Sequence, residues 1–430
     1  MIENIFHLKE NKTNIRTEVL AGLTTFMTMA YILAVNPGIL SETGMNKNAL
    51  FTATAISAVV ATLVMALWAN LPFALAPGMG LNAFFTYTVV LGMGYSWKLA
   101  LTAVFTEGII FIVLTFFNVR EAIVNSIPNT LKHAISVGIG LFIAFIGLRS
   151  AGIITGNKST MVTLGNMSDR NVWIALFGIL LTGILLVKKV RGALLIGIIL
   201  SALLGIPLGI THLPAGHIIS LPPSIKPIFF KFQFSHLFTA DMLVILFTFL
   251  FVDIFDTVGT LVGVSSKAGL LDKNGNVPRV KQALFADAIG TTAGALLGTS
   301  TVTTYVESAA GVTEGGKTGL TSFTVAIMFI IALLFSPVFL MVPAAATAPA
   351  LIIVGLFMLE PVIRIDFGDY TESVPAFLTI IMMPLTSSIS EGIVFGMLSY
   401  VVINTLTGRW KKISLVMYIL SIFFVLKFFI

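Results

Sequence analysis

Apolar runs recur along the chain, separated by short clusters of Gly, Pro, Asn and charged residues. They predict helices near 18–36, 49–69, 73–92, 97–117, 131–150, 171–188 and 192–210. A second set falls near 238–262, 282–298, 303–317, 319–342, 345–363, 373–388 and 390–407. Most approach the ~20 residues that carry an α-helix across bilayer hydrocarbon. The expected fold is an all-α polytopic membrane protein of about fourteen transmembrane helices. Residues 413–430 form a further apolar tail that either spans or lies in the interface.

The two sets echo each other in order. Ala49-Leu50-Phe51 recurs as Ala283-Leu284-Phe285, Ile127-Pro128 as Val342-Pro343, Gly140-Leu141-Phe142 as Gly355-Leu356-Phe357, and Gly192 matches Gly392. Each match alone is weak, but their common order predicts a duplication of residues 1–210 and 238–410. An external connection, 211–237, joins the halves and a tail, 411–430, follows. About seven spans per half would place the second copy upside down, as in the inverted repeats of secondary transporters.

Composition settles the class. Hydrophobic residues make up 57% of the chain and charged residues 10%, against roughly 25% charged in soluble domains. The net charge of +6 sits in short loops instead of on one face, which argues against nucleic acid. With the N-terminus in the cytoplasm, Lys9, Lys12, Arg16, Arg120, Lys132, Lys188, Lys189, Arg191, Lys267, Lys273, Arg279, Lys281, Lys317, Arg364, Arg409, Lys411 and Lys412 lie inside. Lys47, Lys98, Arg149, Lys158, Arg170, Lys226 and Lys231 lie outside, a positive-inside bias. Met1–Arg16 lacks the apolar core of a cleaved signal. The absence of cysteine excludes disulfides, thiolate metal sites and Cys nucleophiles.

Against this background the carboxylates stand out, because an acid at mid-membrane costs about 2.5–3.5 kcal/mol on insertion scales. In the eighth run Asp253, Asp256, Thr257 and Thr260 share one face of a helix. Two close acids in a dry site repel each other, which makes them candidates for proton coupling; an interhelical hydrogen bond is the plainer reading. The tenth run, Gly298–Lys317, is too rich in Thr, Ser and Gly for lipid. It predicts an extended piece feeding a half-helix from about Tyr305, with Glu307 in its first turn beside a cavity. Glu314 lies near the cytoplasmic end and reads as structural.

The third run holds Pro72, Pro77, Gly78 and Gly80, the mark of a second discontinuous helix. Asn82 there suits hydrogen bonding to a planar ligand, and Phe84 or Phe85 suits stacking or ordinary packing. Glu107 and Asp287 read as structural. Thr24, Thr28 and Tyr31 form a stripe that fits a cavity wall or a helix contact equally well.

Two patterns mislead. Gly78-Met79-Gly80-Leu81-Asn82-Ala83 matches a dinucleotide fingerprint without its strand–helix context, and Asp272–Asn276 begins like a calcium loop but reaches Ala283 where a bidentate Glu belongs. With no H-E-x-x-H or G-x-S-x-G motif, no enzyme is expected.

Four stretches in register, Ala21–Tyr31, Ala76–Phe84, Phe255–Thr260 and Gly298–Thr318, resemble the AzgA-like purine permeases. These belong to the nucleobase:cation symporter-2, or nucleobase-ascorbate transporter, group. The likeness runs from about residue 3 to 410. It implies a core domain of spans 1–4 and 8–11 moving against a gate domain of spans 5–7 and 12–14, with short strands in spans 3 and 10 crossing near the substrate. It also implies import of hypoxanthine, guanine or adenine with a proton, and homodimers through the gate. By this likeness Asp256 and Glu307 bind the base, and one of them is linked to the proton.

The candidate substrate-binding set is therefore Asp256, Glu307, Asn82, Ala83, Phe84, Thr260, Thr304, Tyr305 and Ser308. The candidate proton-coupling set is Asp256, Glu307 and Asp253, with no metal and no cofactor besides the proton. The expected location is the plasma membrane, a bacterial inner membrane. The rival readings are a sulfate-type anion transporter of the same fold, which would want a basic site, and an ion channel.

Overall fold

The computed structural model describes residues 2–117, 127–213, 217–235, 239–271 and 277–427. Arg120, Lys273 and the calcium-loop-like stretch 272–276 lie outside the described residues.

Each apolar run predicted above contains helix. The regular ones are α1 (Ile15–Met29), α2 (Ile32–Ser41), α3 (Lys47–Val64), α4 (Met79–Ala83), α5 (Trp97–Phe116), α6 (Asn129–Ser150), α7 (Arg170–Val187) and α8 (Ala193–Gly205). They continue with α9 (Ala240–Ala268), α10 (Val280–Leu297), α11 (Ser308–Thr313), α12 (Gly319–Leu333), α13 (Ala344–Met358), α14 (Tyr370–Thr386), α15 (Ile389–Leu406) and α16 (Leu415–Lys427). Among the described residues, 8 helical stretches are long and apolar enough to cross a membrane, and four shorter apolar helices accompany them. On α7, Trp173, Phe177, Leu180, Ile184 and Val187 recur every three or four residues and are all exposed. Such an apolar stripe suits lipid and not water.

Among the runs that depart from a simple helix, three shape the region described below. The first breaks between α1 and α2 at Ala30-Tyr31. The third opens as strand β1 (Leu75–Pro77), continues as α4 and finishes as a π-helical segment, Phe84–Gly92. The tenth opens as strand β4 (Val302–Thr304) and continues as α11. Pro72 and Pro77 lack the N–H a helix needs, and the β-branched run around Val302 favours extended backbone.

β1 and β4 pair antiparallel, with Leu75 opposite Thr304, Ala76 opposite Thr303 and Pro77 opposite Val302. Two flanking bonds lengthen the ladder, Gly78 N to Thr301 O at 3.0 Å and Tyr305 N to Ala74 O at 2.9 Å. Pro77 is tolerated because this sheet has two strands, so each leaves an edge without a ladder partner.

A second two-stranded sheet was not expected, and it corrects the all-α reading. Strands β2 (Ile154–Asn157) and β3 (Met161–Leu164) form an exposed hairpin between α6 and α7. Its turn is local chemistry: Asn157 Oδ1 accepts from Ser159 N at 2.8 Å and Thr160 N at 3.1 Å. Met161 then takes φ 63°.

The helices pack in two groups. In one, α6 lies on α13 and α14, α14 on α15, α7 on α8, and both α7 and α8 on α13. In the other, α10 lies on α3 and α5, α12 on α1 and α3, and α11 on α1. The segment between α8 and α9 binds the second group: Thr52 donates to Pro223 O (2.8 Å), Phe230 N to Leu296 O (2.9 Å) and Gln233 N to Thr102 Oγ1 (2.8 Å).

Candidate functional site

Unwound backbone at membrane depth must find its hydrogen bonds inside the protein. In the stretch Thr299–Thr304 the β ladder takes part of that backbone, and the side chains of Thr299, Ser300, Thr301 and Thr303 each bond to a different helix. Asn36 Nδ2 donates to Thr299 Oγ1 (2.9 Å) and to Thr54 Oγ1 (2.7 Å). The Ser300 hydroxyl donates to Asn82 Oδ1, and the Thr301 hydroxyl to Glu107 Oε2 (2.7 Å). The Thr291 hydroxyl donates to Val302 O (3.0 Å), and Thr303 Oγ1 lies 2.7 Å from Thr257 Oγ1. All six residues are buried. The run that looked too polar for lipid is thus polar toward protein.

Past the crossing, Tyr305 donates to Pro77 O (2.6 Å), and Ser308 Oγ accepts from Ala74 N (3.0 Å). These bonds tie the two broken spans together on the side where Glu307 emerges. Helix α11 starts at Ser308, three residues later than predicted, so Glu307 occupies its N-cap position instead of its first turn. Glu307 is half-buried. Its Oε1 accepts from the Tyr31 hydroxyl at 2.7 Å, and its carbonyl lies 3.4 Å from Thr28 Oγ1.

Asp256, also half-buried, faces the crossing from α9. A Cβ built on Gly78 would stand 3.7 Å from Asp256 Oδ2 and 2.5 Å from Thr303 Cγ2, so only glycine lets the backbone approach there. Asp256, Glu307, Tyr31 and Tyr305 lie within electrostatic reach of one another. One turn on, Thr260 is half-buried on the same side.

The structure separates the acids that the sequence grouped. Asp256 and Glu307 retain access, whereas Asp253, Asp287 and Glu107 are fully buried. Thr257 Oγ1 lies 3.3 Å from Asp253 Oδ1 and 2.6 Å from Asp287 Oδ1. Asp253 therefore associates with Asp287 through Thr257, behind the crossing.

Asn82, Ala83 and Phe84 are buried under the crossing. Phe84 packs edge-on against Phe249, centroids 4.8 Å apart. Asn82 Nδ2 and Thr304 Oγ1, both buried, have no hydrogen-bond partner among the described residues, which leaves one amide and one hydroxyl uncommitted. No group of three His, Cys, Asp or Glu side chains among the described residues is placed to hold a metal ion.

Three contacts escaped the sequence reading. Tyr31 lies on one stripe with Thr24 and Thr28, but its target lies 276 positions away. Glu18, fully buried, accepts from Lys317 N (3.0 Å), Thr318 N (3.2 Å) and the Thr321 hydroxyl (2.6 Å), so it caps the start of α12. Arg191 pairs with Glu314 across the two helix groups.

Together these groups make a dry platform of hydroxyls and backbone carrying two accessible carboxylates. Such a site accepts N–H donors strongly.

The profile of a family described as a permease family, Xan_ur_permease, matches residues 16–395. The guanine/hypoxanthine permease PbuO of Bacillus subtilis is 45% identical, covering 99% of this chain and 100% of the relative. The adenine permease AdeP of Escherichia coli is 43% identical, covering 99% and 96%. The transmembrane domain of the cyanobacterial bicarbonate transporter BicA superimposes with a TM-score of 0.66 at 16% identity, covering 88% of this chain and 97% of that one, a likeness of fold alone. The chain belongs to this permease family, and is a multi-pass membrane transporter and not an enzyme.

Proposed function

We propose that the protein imports purine nucleobases, hypoxanthine or guanine foremost and adenine as a further substrate, together with a proton. The observation that carries this reading is the pair of half-buried carboxylates, Asp256 and Glu307, flanking the β1–β4 crossing. A purine presents ring N–H groups that ionised carboxylates accept, and the uncommitted Asn82 amide and Thr304 hydroxyl suit its remaining polar edge. Relatives named for guanine/hypoxanthine and for adenine transport support the substrate class. The acids at the crossing disfavour the anion reading.

In this proposal α1–α5 and α9–α12 form a core that moves against a gate of α6–α8 and α13–α15, exposing the crossing to each side in turn. The two packing groups and the antiparallel strands from the two halves support it. The proposal includes a 7+7 inverted repeat inserted with a cytoplasmic N-terminus in the plasma membrane, two copies meeting through the gate.

The test is uptake of labelled hypoxanthine by cells lacking their own purine permeases, with unlabelled guanine, adenine, xanthine and uracil as competitors and a protonophore in a parallel arm. Competition by purines and loss of accumulation with the protonophore are expected. Competition by uracil alone would overturn the purine class, and accumulation undiminished by the protonophore would overturn proton coupling.

A further inference from the structure

We infer that Tyr31 is a positioning residue for substrate: its hydroxyl holds one oxygen of Glu307, so that the other is presented to an N–H of the bound base. This rests on the purine reading above.

Tyr31 sits where the first span breaks between α1 and α2, and it is 1% exposed. The break aims its side chain across to α11 instead of along α1. Its hydroxyl donates to Glu307 Oε1 at 2.7 Å, a charge-assisted bond whenever Glu307 is ionised, because a carboxylate only accepts.

Besides Tyr31, the group that engages the Glu307 carboxylate is its own backbone N–H. Although it stands at the N-cap of α11, its side chain makes no capping bond. Tyr31 is the side chain that hydrogen-bonds this carboxylate among the described residues.

Below Glu307, α1 and α11 touch along their length. A Cβ on Gly311 would run into Ala21 O and Thr25 Oγ1, and Thr28 reaches the Glu307 carbonyl. The first span therefore fixes the backbone of the half-helix through Ala21, Thr25 and Thr28, and its acid through Tyr31. Rotation of the carboxylate about its last torsion is the freedom that Tyr31 removes. A fixed acceptor binds a planar donor better than a rotating one, because less freedom is lost on binding.

The experiment is uptake kinetics of labelled hypoxanthine for wild type, Tyr31→Phe, Glu307→Asp and the double variant. Rates are normalised to protein in the membrane, and thermal unfolding of each purified protein is measured. Tyr31→Phe removes the hydroxyl and keeps the ring. A lost hydrogen bond to a charged group corresponds to roughly a tenfold rise in KM or more, with Vmax within about twofold and Tm unchanged. Glu307→Asp withdraws the carboxylate by one methylene, out of the hydroxyl's reach, so Tyr31→Phe should then add less than about twofold.

An unchanged KM in Tyr31→Phe overturns the inference, as does a full, additive penalty in the double variant. Failure of Tyr31→Phe to reach the membrane while Glu307→Asp arrives also overturns it, since the hydroxyl would then be holding the fold. Absence of purine uptake by the wild type sinks the functional reading and this inference with it. Normal wild-type uptake with a normal Tyr31→Phe sinks this inference alone.

Discussion

Two close crossings in this molecule are built on opposite terms. Where β1 meets β4, the side chains leading into and along β4 are held by directional bonds with a hydroxyl, two amides and a carboxylate on the surrounding helices. Where α6 meets α13, the backbones touch because two glycines face each other: a Cβ on Gly140 would lie 2.7 Å from Gly355 O, and one on Gly355 2.5 Å from Gly140 O. The first arrangement fixes orientation and leaves polar atoms over for a ligand. The second supplies contact area without hydrogen-bond register. Chemistry has gathered at the first, and the second is a packing surface.

Four tests would break or sharpen this contrast. The largest effect belongs to the accessible acids: Glu307→Gln and Asp256→Asn should each abolish purine accumulation, by more than ~100-fold, with the protein still present in the membrane. Near-wild-type uptake by both would remove the functional distinction between the crossings.

Next comes Gly355→Leu, which overpacks a backbone contact and should cost roughly 1–3 kcal/mol or more. It is read as a lower Tm and less protein in the membrane, while the KM of the protein that remains is little changed. A changed KM at full stability would mean that this helix pair shapes the site.

A smaller loss is expected from Thr303→Val, which leaves Thr257 without one partner behind the strand and should cost about 1–3 kcal/mol. Thr303→Ser, which keeps the hydroxyl, should restore most of the Tm. If Val and Ser behave alike, the bond at 2.7 Å matters only as packing.

The smallest effect is at the ends of α14 and α15, in the group packed on α6, where Arg409 donates to Asp369 Oδ2 at 2.6 Å. Arg409 and the Thr371 groups hold the Asp369 carboxyl down to about 2, against an ordinary value of about 3.9. A depressed acid stabilises fully above its unfolded value and loses that contribution as pH falls through its folded one. The Tm gap between wild type and Asp369→Asn should therefore be equal at about pH 5 and pH 8 and close only toward about pH 2. A gap that changes between the two higher values would contradict the assignment.

Much of this was legible in the residues. Apolar runs marked the helices because lipid demands them, and Pro77, Gly78 and the Thr-rich 299–304 stretch marked the broken spans because helix chemistry fails there. Asp256 and Glu307 were legible as costly acids. The hairpin at Ile154–Leu164 was hidden, since its turn depends on one Asn side chain inside a polar loop. The division of the acids was hidden too: Asp253 and Asp256 are neighbours on one helix face, and only the position of Thr257 against Asp287 and Thr303 sends one inward. Tyr31 and Glu18 were illegible as partners because periodicity reports a face and never what lies opposite it.

The bonds around Thr299–Thr303 also impose an order of manufacture. Asn36, Asn82, Glu107, Thr291 and Thr257, which meet these five residues in turn, all precede them in the chain. A ribosome delivering the protein from its N-terminus releases this polar stretch only after every group that satisfies it has been made. The segment least suited to lipid thus never has to wait in it for a partner still to be synthesised.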